Sequence, residues 1–471
     1  MAGVSEISSL LETLTTSIDV FKAELSRQGL TEPSLMTSKP HPIDDPAYVA
    51  PPIMYEARRL AVSALERLKL LLESPSETVI STSIASAEIH GLRLVAEIGV
   101  HDVLEDASNP EEGVDVQLIA KKTKTDSLKL EGVLRMLANA GWFRETRPGY
   151  FANNRRSHTL KVGSKGYYLA RNMNYYQSNG VGKLPEAMTH PDESFRMSRG
   201  LDKTAWNLYA GTDTPFFGAH GWLEQKPGEA EKFGLAMGGL GVVSDNGVAF
   251  DVPWADLVKG KDAIVDVGGG QGTLCCSLAL AHPEIKQFIV QDLPVTREVA
   301  AKYISSKGVT DRVQFEEQNF FEPNKRKGKG NYVFMLTKIL HDWSDEEGAK
   351  ILSRIRECLE GSKSQLLITD PIIRPVLVSG DGPSARESLA ALEGQTHYAP
   401  IAPPPFIPHD FGMEGRIGNQ VNIGLIASCN AFERTYASLE HMVRLAGMRI
   451  KRVIATRGYV HVAEVEVDPS V

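Results

Sequence analysis

A short glycine-rich segment carries the clearest chemical signal in the sequence. It reads DVGGGQG over residues 266–272 and directly follows an apolar run that is typical of a buried strand. Glycine adopts left-handed backbone conformations and has no Cβ atom, so a ligand can approach the main chain closely. The third glycine of a G-x-G-x-x-G dinucleotide motif would fall at Thr273. The segment therefore predicts a ligand site without the dinucleotide pattern, and a plain tight turn is the alternative.

Polar side chains follow the next two predicted strands. Asp292 stands at the end of the second strand, where a carboxylate can accept hydrogen bonds from both hydroxyls of a ribose, and Pro294 ends that strand. Asn319 and Phe320 follow the third strand and offer an amide and a ring suited to the edge and face of an adenine. Together with the glycine segment, they predict a site for an adenosine-type cofactor.

A histidine lies just past the fourth predicted strand. In the run KILHDWSDEE, residues 338–347, the serine and the last glutamate have capping-box spacing, which predicts that His341 occupies an exposed turn before a helix. This is the sheet edge where open α/β folds bind ligands. Asp370 ends the fifth strand and Glu433 precedes another helix, so either carboxylate could orient His341 as a general base. A structural role for a lone histidine is the alternative.

The elements that position these residues alternate regularly from residue 261 onward. Short apolar runs rich in β-branched residues are separated by helical stretches; the runs lie at 263–267, 287–291, 313–315, 332–336 and 365–369. This alternation predicts an α/β fold with a doubly wound parallel sheet. The segment 375–408 is too long and too rich in proline and glycine for a simple crossover, so we expect a surface loop or a lid.

The first part of the chain predicts a helical arm. Apolar residues recur at spacings of three and four on one helical stripe, at Ile7, Leu11, Leu14, Ile18, Phe21 and Leu25. A proline-rich tether at 39–52 follows and disfavours immediate packing of the helix against the next element. The stripe therefore predicts either a contact between subunits or domains, or a helix that lies on its own domain.

Two further segments precede the sheet. Residues 53–172 combine helices with a small hairpin at 142–151, which is the winged-helix pattern. The candidate recognition helix at 127–141 offers only Lys129 and Arg135 as cations against Glu131, which favours dimerisation over DNA binding. Residues 173–250 are rich in aromatic residues and glycine and indicate helices that cap an apolar pocket, with an ordinary helical core as the alternative.

The composition of the chain limits the classes of protein to which it can belong. The chain has 471 residues with 42% hydrophobic and 23% charged residues, which is ordinary globular usage. The formal net charge is −8, and the densest basic run, at 325–329, is short and most simply a solvated loop, so no nucleic-acid partner is expected. The four cysteines lack metal-ligand spacing and two are adjacent, which favours a reducing compartment and no metal site. With no apolar stretch of membrane-spanning length, we expect a cytoplasmic protein without a membrane partner.

The motifs taken together resemble a known family. VDVGGGQG (265–272), DLP (292–294), ILHDWSDEE (339–347) and FERT (432–435) are similar to those of the S-adenosylmethionine-dependent O-methyltransferases of the caffeic-acid and fungal polyketide type. The resemblance covers most of the chain and implies a class I methyltransferase Rossmann-like sheet behind a winged-helix dimerisation domain. It also implies that His341 takes the proton from an attacking hydroxyl, that Asp370 and Glu433 hold the histidine, and that N-terminal helices are swapped in a homodimer.

The sequence departs from the family pattern at two places. Asn319 replaces the usual aspartate after the third strand, which removes a charge but keeps a hydrogen-bonding amide. Lys338 stands where relatives carry an aromatic or apolar residue facing the substrate, and Thr337 stands where they carry a cation. A lysine beside a substrate carbonyl would polarise it. The alternatives are a displaced cofactor-binding cation or a salt bridge to a nearby carboxylate.

The presence of Lys338 is also compatible with a second activity. Some fungal proteins that resemble this family retain S-adenosylmethionine as a fixed positive charge and catalyse dehydration and pericyclic reactions, including cycloaddition and Alder-ene chemistry, without methyl transfer. A third interpretation, from another class, is a winged-helix regulator that senses a metabolite; a DNA shift assay without binding would remove it.

We therefore predict an S-adenosylmethionine-dependent O-methyltransferase of secondary metabolism that acts on a phenolic or enolic small molecule of aromatic or polyketide type. The predicted organisation is an arm and tether at 1–52, a winged-helix-like dimerisation domain at 53–172, a pocket segment at 173–250 and the cofactor domain at 251–471. The predicted catalytic residues are His341, Asp370, Glu433 and Lys338. The predicted cofactor-binding residues are Asp266, Gly268, Gly269, Gly270, Asp292, Leu293, Asn319, Phe320 and Thr337.

Overall fold

The computed structural model describes residues 5–218, 220–241, 244–395 and 397–470. The first part of the chain is mainly helical, with α1 (Glu6–Arg27), α2 (Pro52–Leu72), α3 (Pro75–Ser83), α4 (Ser86–Glu97), α5 (Val100–Glu105), α6 (Val116–Thr123) and α7 (Ser127–Asn139). The Ser5 side chain caps α1, and Asp126 caps α7 by accepting the Lys129 N–H at 3.0 Å. Proline begins α2 and α3, where a missing N–H costs nothing.

A small antiparallel sheet follows these helices. Its strands are β1 (Val114–Asp115), β2 (Arg144–Arg147) and β3 (Tyr150–Ala152), in the order β1-β3-β2. The predicted hairpin is therefore present, and Gly149 makes its turn with φ of 77°. On α7, Arg135 pairs with Glu131 at 2.5 Å and Glu145 at 3.0 Å, so nearby carboxylates neutralise one of the two cations that this helix offers.

Short helices form the next segment. They are α8 (Lys165–Tyr168), α9 (Asn174–Gly182), α10 (Leu184–Met188), α11 (Glu193–Arg196), α12 (Ala205–Ala210), α13 (Trp222–Gln225), α14 (Glu229–Gly241), α15 (Asp245–Asp251) and α16 (Trp254–Leu257). A π-helical turn at Leu169–Met173 joins α8 to α9. The aromatic rings of this segment form one apolar cluster around Trp206, which is fully buried.

The last part of the chain builds the large sheet. Its strands are β4 (Ala263–Val267), β5 (Phe288–Asp292), β6 (Val313–Glu317), β7 (Tyr332–Thr337), β8 (Gln365–Asp370), β9 (Met448–Ala455) and β10 (His461–Val467). Its helices are α17 (Thr273–Ala281), α18 (Arg297–Ser306), α19 (Asp345–Leu359), α20 (Ala385–Ala390), α21 (Met413–Cys429) and α22 (Tyr436–Leu445). Apolar clusters cover both faces of the sheet, as a doubly wound fold requires.

The strand order explains where a ligand can bind. Among the described residues it is β6-β5-β4-β7-β8-β10-β9. The strands β4 to β8 are parallel, and β10 runs antiparallel to both β8 and β9. The predicted parallel sheet is thus correct for five strands, whereas the antiparallel pair β9–β10 was missed. The order reverses at β4, so a crevice opens at the carboxyl ends of β4, β5 and β7.

The N-terminal arm and the proline-rich insert pack together. Leu10 on α1, Leu60 on α2, Leu389 on α20 and Phe411 share one buried cluster. Only part of the predicted stripe is covered this way, because Ile7, Leu11 and Ile18 stay exposed while Leu14, Phe21 and Leu25 are partly or fully buried.

A polar contact fastens the insert to α2. The hydroxyl of Tyr398 donates to the buried carboxylate of Glu56 at 2.7 Å. None of the described residues of 375–408 lines the large cavity at the sheet edge, so this segment packs on the arm and does not cover the cavity. Across the described residues, no helix is both long and apolar enough to span a membrane.

Candidate active site

A cavity of about 1040 Å³ opens along the carboxyl edge of the sheet. One wall comes from the loop after β4, the end of β5 and the segment after β7. The opposite wall comes from α9, α12, α13, α14 and the loop that carries Phe216, whose aromatic side chains pack in edge-to-face and tilted contacts. A single space therefore connects the predicted cofactor loop with the predicted aromatic pocket.

The glycine loop presents its backbone to this cavity. Gly268 and Gly270 both lie in the left-handed region, with φ of 76° and 57°. The N–H of Gly268 donates to the carbonyl of Gln291 at 2.8 Å, which fixes the loop against β5. A Cβ atom added to Gly270 would meet no atom within 4 Å, because the space beside this residue is open. The loop therefore leaves room for a ligand directly against its main chain.

Two carboxylates border the loop. Asp292 accepts the N–H of Gly270 and the N–H of Leu293, each at 2.7 Å, so its oxygens are held at the cavity wall. Burial raises the pKa of Asp292, and these two backbone N–H groups oppose that rise. Asp266 is fully buried, which raises its pKa to about 7. A Cβ at Gly269 would lie 2.7 Å from Asp266 Oδ2, so glycine is required there for this carboxylate to keep its place.

Unpartnered oxygens mark the cavity as a binding site. Among the described residues, Asp266 Oδ1, Thr337 Oγ1 and Glu433 Oε2 are buried and have no hydrogen-bond partner, and all three residues line the cavity. A buried polar atom without a partner costs about 1–3 kcal/mol. A polar ligand that hydrogen-bonds to these oxygens recovers that free energy.

His341 lies in the 3-10 turn Leu340–Asp342 between β7 and α19, on the same wall. Its Nδ1–H donates to Oε1 of Glu433 at 2.9 Å, which leaves Nε2 as the nitrogen available to a ligand. Burial lowers the pKa of His341, but the negative charges of Glu433 and Asp342 outweigh it and raise the pKa to about 10. The predicted exposed turn is wrong, since His341 is only 9% exposed.

Lys338 directly precedes this turn and adopts a left-handed backbone conformation with φ of 56°. Its ammonium donates to Oγ of Ser244 at 3.0 Å and lies 4.0 Å from Oδ1 of Asp245. Burial lowers the pKa of Lys338, but Tyr459 and Asp245 outweigh burial and raise it above its usual value. Lys338 is therefore a protonated side chain at the cavity wall that already has an internal partner.

The aromatic wall is apolar with two polar exceptions. Tyr176, Phe216, Phe217 and Phe233 line it, and fully burying a large apolar side chain contributes about 1.5–3 kcal/mol. The Tyr176 hydroxyl donates to Glu229 Oε2 at 2.8 Å. The indole N–H of Trp206 is buried at this wall without a partner among the described residues. The wall therefore suits a flat apolar guest that carries a hydrogen-bond acceptor.

Comparison with known proteins matches this geometry. Residues 249–385 match the model of the O-methyltransferase domain. The chain is 29% identical to O-methyltransferase tpcA of Aspergillus fumigatus, and the alignment covers 87% of each protein. The chain is therefore similar to proteins of the O-methyltransferase family. Members of this family use S-adenosylmethionine as the methyl donor.

Solved structures show the same fold. An O-methyltransferase from neocarzinostatin biosynthesis, NcsB1, in complex with S-adenosylmethionine and 2-hydroxy-5-methyl naphthoic acid, is 20% identical with a TM-score of 0.57, covering 81% of this chain and 96% of that one. A structure described as a pericyclic reaction enzyme is 17% identical with a TM-score of 0.68, covering 97% of this chain and 99% of that one. The fold of this chain is thus shared by enzymes of both kinds.

The predicted site residues do not all reach the cavity. Those that line it are Asp266, Gly268, Gly269, Gly270, Asp292, Thr337, Lys338, His341 and Glu433. Leu293, Asn319, Phe320 and Asp370 are not among its lining residues. The side chain of Asn319 accepts the N–H of Phe321 at 3.0 Å, and the Phe320 ring packs edge-on against Trp343. These two residues therefore shape the loop beside the cavity.

The two carboxylates predicted to hold His341 differ. Glu433 makes the only described hydrogen bond to the imidazole from a carboxylate, and its own N–H donates to Asn422 Oδ1 at 2.9 Å. Asp370 has no described hydrogen bond to His341 and acts on the ring only through its charge. Burial is the main reason that the pKa of Asp370 rises to about 7. Only Glu433 can therefore orient the imidazole in this arrangement.

Arg434 is a positioning residue that the sequence did not reveal. Its guanidinium donates to the carbonyl of Leu340 at 2.6 Å and to the carbonyl of Trp343 at 2.7 Å. It also pairs with Asp345 at 2.9 Å. The arginine therefore clamps both sides of the turn that carries His341. The sequence signal that could have identified Arg434 is its position next to Glu433, because the two side chains lie on the same loop.

Proposed function

We propose that the protein transfers a methyl group from S-adenosylmethionine to a phenolic or enolic hydroxyl of a small aromatic or polyketide-type molecule. The observation that supports this most strongly is that the His341–Glu433 pair and the glycine loop line one cavity. A base and a cofactor loop in one space satisfy the geometric requirement for a proton removal coupled to group transfer.

The residues present fit S-adenosylmethionine. The hydroxyls of its ribose would bind Asp292, whose carboxylate keeps free lone pairs beyond its two backbone contacts. Its ammonium group would bind the unpartnered oxygen of Asp266, and the open space at Gly270 would receive it without a steric clash. When bound, the cofactor supplies a methyl group on a sulfonium sulfur and departs as S-adenosylhomocysteine.

His341 performs the proton transfer in this proposal. Nε2 accepts the proton of the substrate hydroxyl while Nδ1–H stays bonded to Glu433, so the imidazole becomes an imidazolium beside a buried carboxylate. The carboxylate stabilises that positive charge and keeps the ring in one orientation. A cationic ligand in the same cavity lowers the pKa of an imidazole, which brings His341 closer to the neutral form that a base requires.

The aromatic wall selects the acceptor. A flat ring would pack among Phe216, Phe217 and Phe233, and an acceptor oxygen on it would receive the N–H of Trp206. Such a guest satisfies both the apolar surface and the unpartnered donor. This supports an aromatic or polyketide substrate that carries a carbonyl or a second hydroxyl.

We further propose a homodimer. The helix α3 has no buried residue, and the surface around it exposes Leu72, Val79, Ile80 and Ile84 at 63–74%. Contiguous exposed apolar residues of this kind indicate a protein interface, and a second copy of the chain is the occupant we propose. Sedimentation of the full chain should give a dimer; a monomer across the concentration range would reject this assignment.

Pericyclic catalysis is the second candidate function. Lys338 is a half-buried cation at the cavity wall, where an electrostatic catalyst would have to lie. Its contacts to Ser244 and Asp245 favour the structural alternative, because they already compensate part of its charge. We therefore rank methyl transfer first.

One experiment separates the two functions. The protein is incubated with methyl-labelled S-adenosylmethionine and a panel of phenols and enolic polyketides, and S-adenosylhomocysteine and methylated products are quantified. We expect acceptor-dependent turnover that His341→Ala abolishes and that the exposed-histidine control His441→Ala retains. Cofactor that copurifies but is never consumed, with substrate conversion that Lys338→Ala abolishes, would replace methyl transfer by pericyclic catalysis.

A further inference from the structure

A second cluster of ligating side chains lies outside the cavity. His101 and Glu105 stand four residues apart on α5, and His158 lies in the 3-10 turn Ser157–Leu160. One ligand atom from each of the three side chains lies within 4.8 Å of the others. His101 Nε2 is 3.2 Å from His158 Nδ1. Two imidazole nitrogens and a carboxylate oxygen therefore converge on one point.

The hydrogen bonds of the two rings conflict when no cation is present. His158 Nε2 faces the carbonyl oxygen of Ser38, which only accepts, so this nitrogen must carry a hydrogen. His158 Nδ1 is then a lone pair, and His101 Nε2 must donate to it. His101 Nδ1 is left as a bare lone pair, buried without a hydrogen-bond partner and 3.6 Å from the carboxylate of Asp102. Two acceptors thus face each other in a site where His101 is only 1% exposed.

A cation between the rings removes the conflict. Both His101 Nε2 and His158 Nδ1 then offer lone pairs to the cation. The hydrogen of His101 moves to Nδ1, where it faces Asp102, whose Oδ2 is already held by the N–H of Val162 at 3.1 Å. A second proton on His101 would also satisfy the geometry, but burial disfavours a charged imidazole. A metal ion satisfies the hydrogen-bonding geometry while both imidazole rings stay neutral.

We propose that His101, Glu105 and His158 bind a zinc ion, with water as the fourth ligand. Tetrahedral zinc with Zn–N bonds of 2.0–2.1 Å places two nitrogens about 3.3 Å apart, and the observed separation is 3.2 Å. Zinc-bound histidines donate their other N–H to a carboxylate or a backbone carbonyl. Asp102 and the Ser38 carbonyl occupy those two positions here.

Lys161 is the competitor for this site. Its ammonium donates to Glu105 Oε2 at 2.8 Å and so neutralises the carboxylate. The side chain of Lys161 is 55% exposed, so the lysine can leave for solvent at small cost. The other carboxylate oxygen of Glu105 has no described hydrogen bond. Zinc binding therefore requires a shift of one exposed side chain and no movement of the two histidine rings.

The site would fasten the proline-rich tether. Ser38 directly precedes the tether, and its N–H donates to Glu111 at 2.9 Å while its hydroxyl donates to the carbonyl of Pro110 at 3.1 Å. Arg144 also donates to the Ser38 hydroxyl at 2.8 Å, and because the Ser38 carbonyl accepts from His158, a metal on His158 would strengthen a fourth contact of Ser38. The zinc ion would thus fix where the N-terminal arm leaves the helical domain.

The test uses the untagged full-length protein after chelator treatment and dialysis. Zinc binding is measured by calorimetry, and metal content by atomic emission. We expect one zinc ion per chain and a rise in Tm on zinc addition. Glu105→Gln should weaken zinc binding by at least about tenfold, since even outer partners of zinc ligands contribute 10–100-fold. Asp102→Asn should weaken it as well. The exposed histidine variant His90→Gln should match the wild type.

Two results would overturn the proposal. One is that the chelator-treated protein binds no zinc at micromolar concentration. The other is binding that Glu105→Gln and His90→Gln leave equally strong, which would place zinc at another site. Glu105 is exposed, so its glutamine variant is expected to fold, and circular dichroism checks this. Cobalt replaces zinc in a parallel arm, where visible absorption of a four-coordinate ion is expected in the wild type and lost in Glu105→Gln.

Discussion

The two walls of the cavity are built in opposite ways. On the sheet side, backbone N–H groups and buried side chains hold polar atoms in place: Gly270 and Leu293 hold Asp292, and Glu433 holds His341. On the helical side, aromatic rings pack in edge-to-face and tilted contacts, and Tyr176 and Trp206 supply the polar atoms.

This difference separates chemistry from selectivity. Polar groups held by several hydrogen bonds keep a fixed geometry, which proton and group transfer require. Packed rings bind by area and shape, and they tolerate substitution with modest losses. We therefore expect changes on the sheet side to affect turnover and cofactor binding, and changes on the helical side to affect the acceptor.

The largest effect is expected from Glu433→Gln. This change keeps the size of the side chain but removes the charge that stabilises the imidazolium and fixes the orientation of His341. We expect kcat to fall by about 10²-fold or more, with little change in the Kd of S-adenosylmethionine. Glu440→Gln on α22 is the control, because Glu440 pairs only with Arg444 in the described structure and should keep full turnover.

Gly270→Val tests the cofactor loop. The new side chain would occupy the open space beside the loop and adopt a left-handed conformation that β-branched residues disfavour. We expect the Kd of S-adenosylmethionine, measured by calorimetry, to rise by at least about tenfold, or ~1.4 kcal/mol. Gly308→Val is the matched control: Gly308 has a φ of 68° and open space but does not line the cavity. An equal increase of this Kd in both variants would mean that backbone strain alone causes the effect.

Phe217→Leu tests the aromatic wall. The ring of Phe217 lines the cavity and packs edge-on against Phe233 at 5.3 Å between centroids. Aromatic pairs contribute about 0.5–1.5 kcal/mol, so the KM for an aromatic acceptor should rise roughly 2–10-fold while the KM for S-adenosylmethionine stays constant. Phe250→Leu changes an exposed ring on α15 and should alter neither value. A change in the cofactor KM alone would contradict the division between the walls.

The smallest effect on turnover is expected from Asp370→Asn, because Asp370 makes no described hydrogen bond to His341 and does not line the cavity. Its effect is on stability. The pKa of Asp370 is raised to about 7 in the folded chain against roughly 3.9 when unfolded. The stability that the protonated carboxyl contributes is therefore present below pH 4 and lost as pH rises through 7.

The variant Asp370→Asn lacks this pH-dependent loss of folding stability. The Tm of Asp370→Asn minus the Tm of the wild type should therefore increase from pH 5 to pH 8. Thermal melts of both proteins at the two pH values would measure this. A Tm difference that is constant with pH would show that Asp370 is ionised throughout this range.

Local motifs pointed to nine residues that line the cavity, because most of these residues lie close to the ends of strands whose apolar runs are easy to recognise, but four others that the motifs indicated do not line it. The burial of His341 was missed, since Glu433 and Arg434 come from a loop about ninety residues later. The strands β9 and β10 were missed because charged residues interrupt their apolar pattern. Those charged residues form ion pairs across the two strands, as between Arg449 and Glu466 at 2.8 Å. Their presence in strands is therefore explained only once the pairing of β9 with β10 is known.

The helical parts show the same limit. The spacing of the N-terminal stripe predicted α1 correctly, but periodicity cannot identify a partner, and the insert that packs against Leu10 lies more than 370 residues away. The aromatic richness of 173–250 indicated a pocket, yet which rings reach the cavity depends on how α9, α12, α13 and α14 pack together.

The pH dependence of kcat/KM in the wild type and in Glu433→Gln tests the central claim that the His341–Glu433 pair is the base. This parameter reports the base of the free enzyme, whose pKa is raised to about 10. We expect kcat/KM to increase with pH up to that value in the wild type. In Glu433→Gln the inflection should move to lower pH, because the charge that raises the pKa is gone. Ionisation of the acceptor cannot produce this shift, so an identical inflection in both proteins would contradict the account.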